Sequence, residues 1–254
     1  MALAVQLHEH YAIIASDGVE VAGRNAIIKC IRSPILCMPQ LNAALVVVGS
    51  RGLAEFINMH TPPHVTGFDA LVAALPSMIS SALHAVHTRD FALDEASPRN
   101  IVVTGWSESA QKFVAYEVSG HDLSARARDA CNTVKMRRIP AGKIWSNFAL
   151  DSNTRALTGL DQGAGDDDDY NRLIRQIFAA RIRYALSPDP IAAGTPVAGG
   201  FIKLAIVSRD LHRIWIPHRW EEDRVGATLD PDPAERLPEQ FCAVHPSVAA
   251  GKRR

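Results

Sequence analysis

Short apolar runs separated by polar turns dominate the first third of the chain. Residues 3–7 alternate weakly, with Gln6 as the one polar residue, residues 11–15 are apolar, and the two runs flank the turn His8-Glu9-His10, a pattern typical of a β-hairpin. Residues 26–32 form another β-like run. Residues 43–48 are continuously apolar and rich in β-branched side chains, which predicts a strand buried on both faces.

Helical periodicity appears in three segments. Residues 52–60 follow a capping serine, and residues 67–89 carry apolar side chains at steps of three and four, so both predict helices. Pro76 lies inside the second segment, and we expect a kink or short break there. Residues 167–186 give the clearest helix, with acidic residues at its start and arginines near its end, which suits the helix dipole.

Four more strands are predicted, over residues 100–106, 112–118, 201–207 and 211–216. Residues 119–165 are polar with little periodicity and yield no element. Strands and helices occur in separate runs, which favours an α+β fold of antiparallel sheets covered by helices over a doubly wound parallel sheet. We expect one domain over residues 1–228, followed by a loosely held tail over residues 229–254.

The charge balance narrows the function classes. Lys plus Arg and Asp plus Glu each number 27, which argues against a general nucleic-acid binder. No apolar run approaches the roughly 20 residues that span a bilayer, and the first residues lack the pattern of a secretory signal. The sequence therefore predicts a cytoplasmic protein without membrane or nucleic-acid partners.

Three local patterns carry a resemblance to a known family. Residues 11–17 form an apolar strand ending in Ala15-Ser16-Asp17, Lys29 lies in the next apolar run, and a late helix leads through a loop to Gly199-Gly200 and a strand. In order and spacing, these patterns resemble the proteasome-type N-terminal nucleophile hydrolases, which include the proteasome β subunits and their bacterial relatives. The resemblance covers about residues 1–90 and 170–217, and it implies a four-layer αββα sandwich of two antiparallel sheets.

The same resemblance implies a specific chemistry. In that family the first residue of the mature chain is a Thr, Ser or Cys nucleophile, and its own α-amine acts as the base. A lysine makes the site electropositive and a carboxylate orients that lysine. The resemblance would place Lys29 and Asp17 in those two roles.

The nucleophile itself is missing from the matching position. The chain begins Met1-Ala2, and neither side chain carries a nucleophilic oxygen or thiol, even if the initiator methionine is removed. We expect no propeptide whose cleavage would expose one. The family's supporting Asp and Ser before the glycine pair match Thr195 and Ala198, and losing a nucleophile costs on the order of a million-fold in kcat. The predicted site, Met1, Ala2, Asp17 and Lys29, is therefore degenerate, and Asp17 with Lys29 would form a structural ion pair.

Three functions follow as hypotheses. The first is a non-catalytic scaffold, regulator or homo-oligomer subunit, in which partners are further copies or other proteins. The second is an active N-terminal nucleophile peptidase or amidohydrolase with a different mature terminus or an unexpected nucleophile. The third is a module that binds a small ligand or peptide in the degenerate cleft. None of them calls for a cofactor.

Other chemically suggestive residues have simpler interpretations. His8 and His10 supply too few ligands for a metal site, and the acidic run at residues 166–169 lacks the spacing of a calcium loop. The cysteines, at positions 30, 37, 131 and 242, fit free thiols, and a pairing of Cys30 or Cys37 with His121 has no support from spacing. No metal site is predicted.

Overall fold

The structure, a computed structural model, describes residues 1–22, 25–48, 51–87, 100–119, 134–158, 160, 169–190, 195 and 197–241. Within them lie four α-helices: α1 (Arg51–Met59), α2 (Phe68–His87), α3 (Ser152–Leu157) and α4 (Asp169–Leu186). The strands of the first half are β1 (Leu3–Leu7), β2 (Tyr11–Asp17), β3 (Val19–Ala22), β4 (Ile27–Ile31), β5 (Ile35–Met38) and β6 (Ala43–Val48). The later strands are β7 (Asn100–Ser107), β8 (Lys112–Ser119), β9 (Arg137–Ile139), β10 (Ile144–Ser146), β11 (Phe201–Ser208) and β12 (His212–Arg219).

The strands form two five-stranded sheets and one small sheet. The first sheet has the order β10-β1-β2-β11-β12 and the second has the order β5-β6-β7-β8-β9, while β3 pairs with β4 alone. Every pairing is antiparallel. The described chain is therefore a mixed α+β protein with antiparallel sheets, as the segregated runs predicted.

Alternation along the central strands sends side chains into separate core clusters. On β6, Val46 packs in a cluster that also contains Ile14 of the first sheet, whereas Leu45 packs in a cluster with α1 and α2. This two-sided burial explains why residues 43–48 are apolar at every position. A third cluster joins one face of α4, including Ile177, to the opposite face of the first sheet, including Ile13.

Several predicted elements are confirmed and others were missed. The hairpin, the strand at 43–48 and the helices at 52–60, 67–89 and 167–186 are found with shifts of a few residues. The expectation of a break at Pro76 is wrong, since α2 runs unbroken from Phe68 to His87, and the expected kink stays a prediction. The strands β3, β5, β9 and β10 and the helix α3 were not predicted.

The segment after residue 228 contributes to the core as far as it is described. Leu229, Leu237 and Phe241 are buried, and the last two pack in the cluster beneath α4. The domain boundary at residue 228 stays a prediction, and residues 242–254 lie outside the described residues. No helix in the described part of the chain has the length and apolar character that crossing a bilayer requires.

Candidate functional site

Asp17 is the centre of the predicted site, and the fold buries it completely. It is the last residue of β2 and has no exposed surface. Its Oδ1 accepts a hydrogen bond from the Ala2 backbone N–H at 2.6 Å, and its Oδ2 accepts from the backbone N–H groups of Val19 at 3.1 Å and Gly199 at 3.2 Å. The carboxylate therefore joins the amino-terminal strand, the start of β3 and the approach to β11.

Burial controls the ionisation of this carboxyl group. Loss of hydration raises the pKa of Asp17 to about 6, against the lowering effects of the nearby α-amino group and the three backbone hydrogen bonds. Those donors stabilise the charged form. The carboxylate thus predominates at pH 7, held by backbone groups alone among the described residues.

The side chain of Asn147 also holds the first residues of the chain, through two hydrogen bonds. The Leu3 backbone N–H donates to its Oδ1 at 2.9 Å, and its Nδ2 donates to the Met1 carbonyl oxygen at 3.3 Å. Ala2 is fully buried, and Met1 packs against the core between the sheets. The position that the resemblance assigned to a nucleophile is therefore fixed by hydrogen bonds to the polar side chains of Asp17 and Asn147 and packed against apolar side chains.

Lys29 lies away from this position. It is on β4, where Ile28 faces the core and Lys29 is exposed. Within the described residues it forms no ion pair with Asp17. Instead, Arg32 comes near the end of β2, with its backbone N–H donating to the Gly18 carbonyl at 2.6 Å and its guanidinium group 3.1 Å from Glu20.

A buried arginine holds the loop that presents the Gly199 N–H. Arg181 on α4 has no exposed surface, and its guanidinium group donates to Asp223 at 2.8 Å and to the Ala198 carbonyl at 3.3 Å. It also pairs with Glu222 and Glu235, each at 2.8 Å. Asp223 in turn accepts from the Gly200 N–H at 2.6 Å. The sequence indicated Arg181 only as a charge near a helix end.

The residues that match the family's supporting Asp and Ser are both buried, and one of them, Ala198, contacts Arg181. Thr195 is 5% exposed and Ala198 is fully buried. Ala198 contributes its backbone carbonyl to Arg181, and its methyl group packs beneath α4. A side chain at the next position would lie 2.6 Å from Asp223 Oδ2, so glycine is required at Gly199.

The remaining candidates do not join the Asp17 site. His8 Nε2 lies 3.2 Å from Asp169 Oδ2, and Cys30 Sγ lies 3.2 Å from a Glu20 carboxylate oxygen. His121 and Asp166–Asp168 fall outside the described residues. In the described segments, no three His, Cys, Asp or Glu side chains cluster as metal ligands would.

Comparison with known proteins identifies the fold of this chain through similar solved structures. No family model and no curated protein matches the chain. Among solved structures, an Anbu (Gly-1) mutant from Hyphomicrobium sp. strain MC1 matches with a TM-score of 0.54 and 14% identity, over 87% of this chain and 88% of that one. Anbu (ancestral beta-subunit) from Yersinia bercovieri matches with a TM-score of 0.53 and 10% identity, over 87% of each chain.

These matches correct the family assignment made from the sequence. The identification with proteasome β-subunit-like N-terminal nucleophile hydrolases carrying a degenerate nucleophile is wrong, because the matching structures are Anbu proteins at 10–14% identity. One of the three patterns behind that assignment, the lysine-bearing strand, places Lys29 on the exposed face of β4. What the matches support is a proteasome-like fold.

Proposed function

We propose that this chain is a non-catalytic protein on a proteasome-like fold, acting as a subunit of a homo-oligomer. The observation that carries the proposal is the role of Asp17. Its carboxylate is fully buried and is occupied by backbone N–H groups of Ala2, Val19 and Gly199. Such an arrangement fixes the chain, because each donor would otherwise be a buried and unsatisfied polar group.

The chemistry around Asp17 supports the absence of N-terminal nucleophile catalysis. A hydroxyl or thiol nucleophile needs an adjacent base or an electropositive group that lowers its pKa. The side chains of Met1 and Ala2, which lie at the position beside Asp17, carry no hydroxyl or thiol, and Lys29 is exposed on another sheet. Among the described residues Asp17 therefore has no lysine to orient, and its contacts are those of a structural group.

The layer arrangement is part of the proposal. The three core clusters fit four layers, in which α1 and α2 cover the second sheet, the two sheets face each other, and α4 covers the first sheet. The αββα sandwich that the resemblance implied has this order. It would leave the helical layers available for contacts with other copies.

The homo-oligomer is supported by the neighbouring structures and by surface chemistry. One neighbour is described as an ancestral beta-subunit, which names a component of an assembly. Met59 at the end of α1 and Leu186 at the end of α4 are 61% and 43% exposed. A contact between copies through the helical layers would cover these two side chains.

Labelling and turnover test the non-catalytic part. The protein is incubated with a peptide β-lactone, which acylates activated hydroxyls, thiols and amines, and with fluorogenic peptides, and intact mass and fluorescence are followed. We expect neither a stoichiometric adduct nor turnover. A single adduct that disappears together with turnover when one Ser, Thr or Cys is substituted would establish the hydrolase alternative instead.

Light scattering after size-exclusion chromatography tests the oligomer. We expect a mass of several chains at micromolar concentration. A uniform species of 27.6 kDa under these conditions would refute this part of the proposal and leave the catalytic question to the first experiment.

A further inference from the structure

Ser16 and Lys203 are two polar side chains that face the space between the two large sheets. Ile14 on β2 and Ala205 on β11 belong to the core cluster between the sheets. Ser16 and Lys203 lie two residues from them on the same strands, so strand alternation points both side chains into the same space. Ser16 and Lys203 are also direct register partners across β2 and β11, which places their side chains next to each other.

Ser16 has an unsatisfied hydroxyl group. Its side chain has no exposed surface, and its Oγ forms no hydrogen bond with any described residue. A buried hydroxyl without a partner is costly. The group is therefore available to a ligand atom that enters between the sheets.

Lys203 supplies a positive charge without a carboxylate partner in the described chain. Its side chain is half-buried, and burial lowers the pKa of its ammonium group from 10.5, while the nearby Cys37 raises it. Burial in turn raises the pKa of the Cys37 thiol above 9.0, despite the ammonium group. A neutral thiol leaves the lysine charge uncompensated, so an anion is the missing partner.

Cys37 lies where the space between the two large sheets reaches solvent. On β5, Ile35 and Cys37 face the layer between the sheets, and Cys37 is partly exposed. Met1 packs at the same cluster. The polar pair therefore lies near solvent at the end of the interface where the chain begins.

We propose that Ser16 and Lys203 form a binding site for a small oxyanion, such as a ligand carboxylate or phosphate, at the open end of the space between the sheets. The anion accepts a hydrogen bond from Ser16 Oγ and pairs with Lys203 Nζ. Cys37 lies at the rim, where a bound ligand blocks access to its thiol. This site goes beyond the proposed subunit role and does not depend on it.

The rim thiol provides the assay. Alkylation by N-ethylmaleimide, a neutral reagent, is followed by peptide mass spectrometry in the reduced protein while acetate, an alanyl-alanine carboxylate or inorganic phosphate is titrated at constant ionic strength with chloride. Cys30 is the internal control, because its thiol is also partly exposed but lies on the separate small sheet, away from the space between the two large sheets. We expect saturable slowing at Cys37 with no change at Cys30.

Four variants assign the effect. Lys203→Met abolishes the protection, Lys203→Arg retains it, and Ser16→Ala weakens the apparent affinity about tenfold through loss of one hydrogen bond to a charged group. Lys29→Met is the matched control, since it removes the same charge from an exposed lysine and leaves the protection unchanged. Thermal melting of each variant establishes that it is folded.

The outcomes separate the ligand classes. Protection by the carboxylates alone assigns the site to ligand carboxylates, and protection by phosphate as well assigns it to oxyanions in general. Three results would overturn the proposal. They are equal slowing of alkylation at Cys30 and Cys37, protection of Cys37 that survives in folded Lys203→Met, and no protection of Cys37 by any of the three anions.

Discussion

The buried carboxyl group of Asp17 makes a testable contribution to the pH dependence of stability. Folding raises its pKa from 3.8 to about 6. Between these values the folded protein holds a proton that the unfolded chain has lost, so the stability from this group is complete below pH 3.8 and declines as pH rises through about 6. Asp17→Asn removes the titration and serves as the reference.

The magnitude follows from the pKa difference. At about 1.4 kcal/mol per pKa unit, the full change from below pH 3.8 to above pH 6 is about 3 kcal/mol. About half of it, some 1–2 kcal/mol, falls between pH 5 and 7.5. The remaining titratable groups contribute equally to both proteins and cancel in the difference.

Urea unfolding of wild type and Asp17→Asn at several pH values measures this difference. The variant is less stable overall, because an amide nitrogen replaces an oxygen that accepts from Val19 and Gly199. However, the wild type loses 1–2 kcal/mol relative to the variant on going from pH 5 to 7.5. Parallel stability curves, or a wild type that gains on the variant as pH rises, would refute the assignment of a raised pKa to a buried Asp17.

Two further substitutions probe the surroundings of this site. Arg181→Met leaves the buried carboxylate of Asp223 without its cation, so we expect the free energy of unfolding in urea to fall by about 3–5 kcal/mol. The control is Arg172→Met, at a half-exposed position on the same helix, which should lower the free energy of unfolding by under about 1 kcal/mol. Equal losses in the two variants would contradict the role of Arg181. In Gly18→Ala, the new methyl group would lie 2.4 Å from the ring of Phe201, so we expect a loss of about 1–3 kcal/mol. The loss should shrink in a Phe201→Leu background, and a double-mutant cycle without coupling would show that the ring moves freely.

The long elements could be predicted from the sequence because their own residues determine them. The strand at 43–48 is apolar at every position since it is buried on both faces, and α4 repeats its apolar face over 18 residues. In contrast, β9 and β10 have three residues each. Strands this short are stabilised by the neighbours across the sheet and have no periodicity of their own, so residues 119–165 gave no prediction.

The site was predictable only where it depends on local sequence. Asp17 could be singled out because it follows an apolar strand, but its partner Gly199 is 182 residues away, and Asn147 is 144 residues from Leu3. For Lys29, the run Ile27-Ile28-Lys29 does not determine which side of the strand faces the core, because either isoleucine could be the buried one. The fold buries Ile28 and leaves Ile27 37% exposed, so Lys29 lies on the outer side.

At the end of β2, the neighbouring polar residues Ser16 and Asp17 point to opposite faces of the sheet, so their side chains have separate roles. Asp17 pairs in register with Ile202, which packs beneath α4, whereas Ser16 pairs with Lys203 and faces the other sheet. Adjacent residues of a strand point to opposite faces, so the buried carboxylate and the buried lysine stem are not on the same side of the sheet. The carboxylate takes its hydrogen bonds from the backbone, and the proposed anion would serve as the counter-ion of the lysine. For this reason, one strand end can hold the chain terminus in place through Asp17 and still present an open polar pair to a ligand.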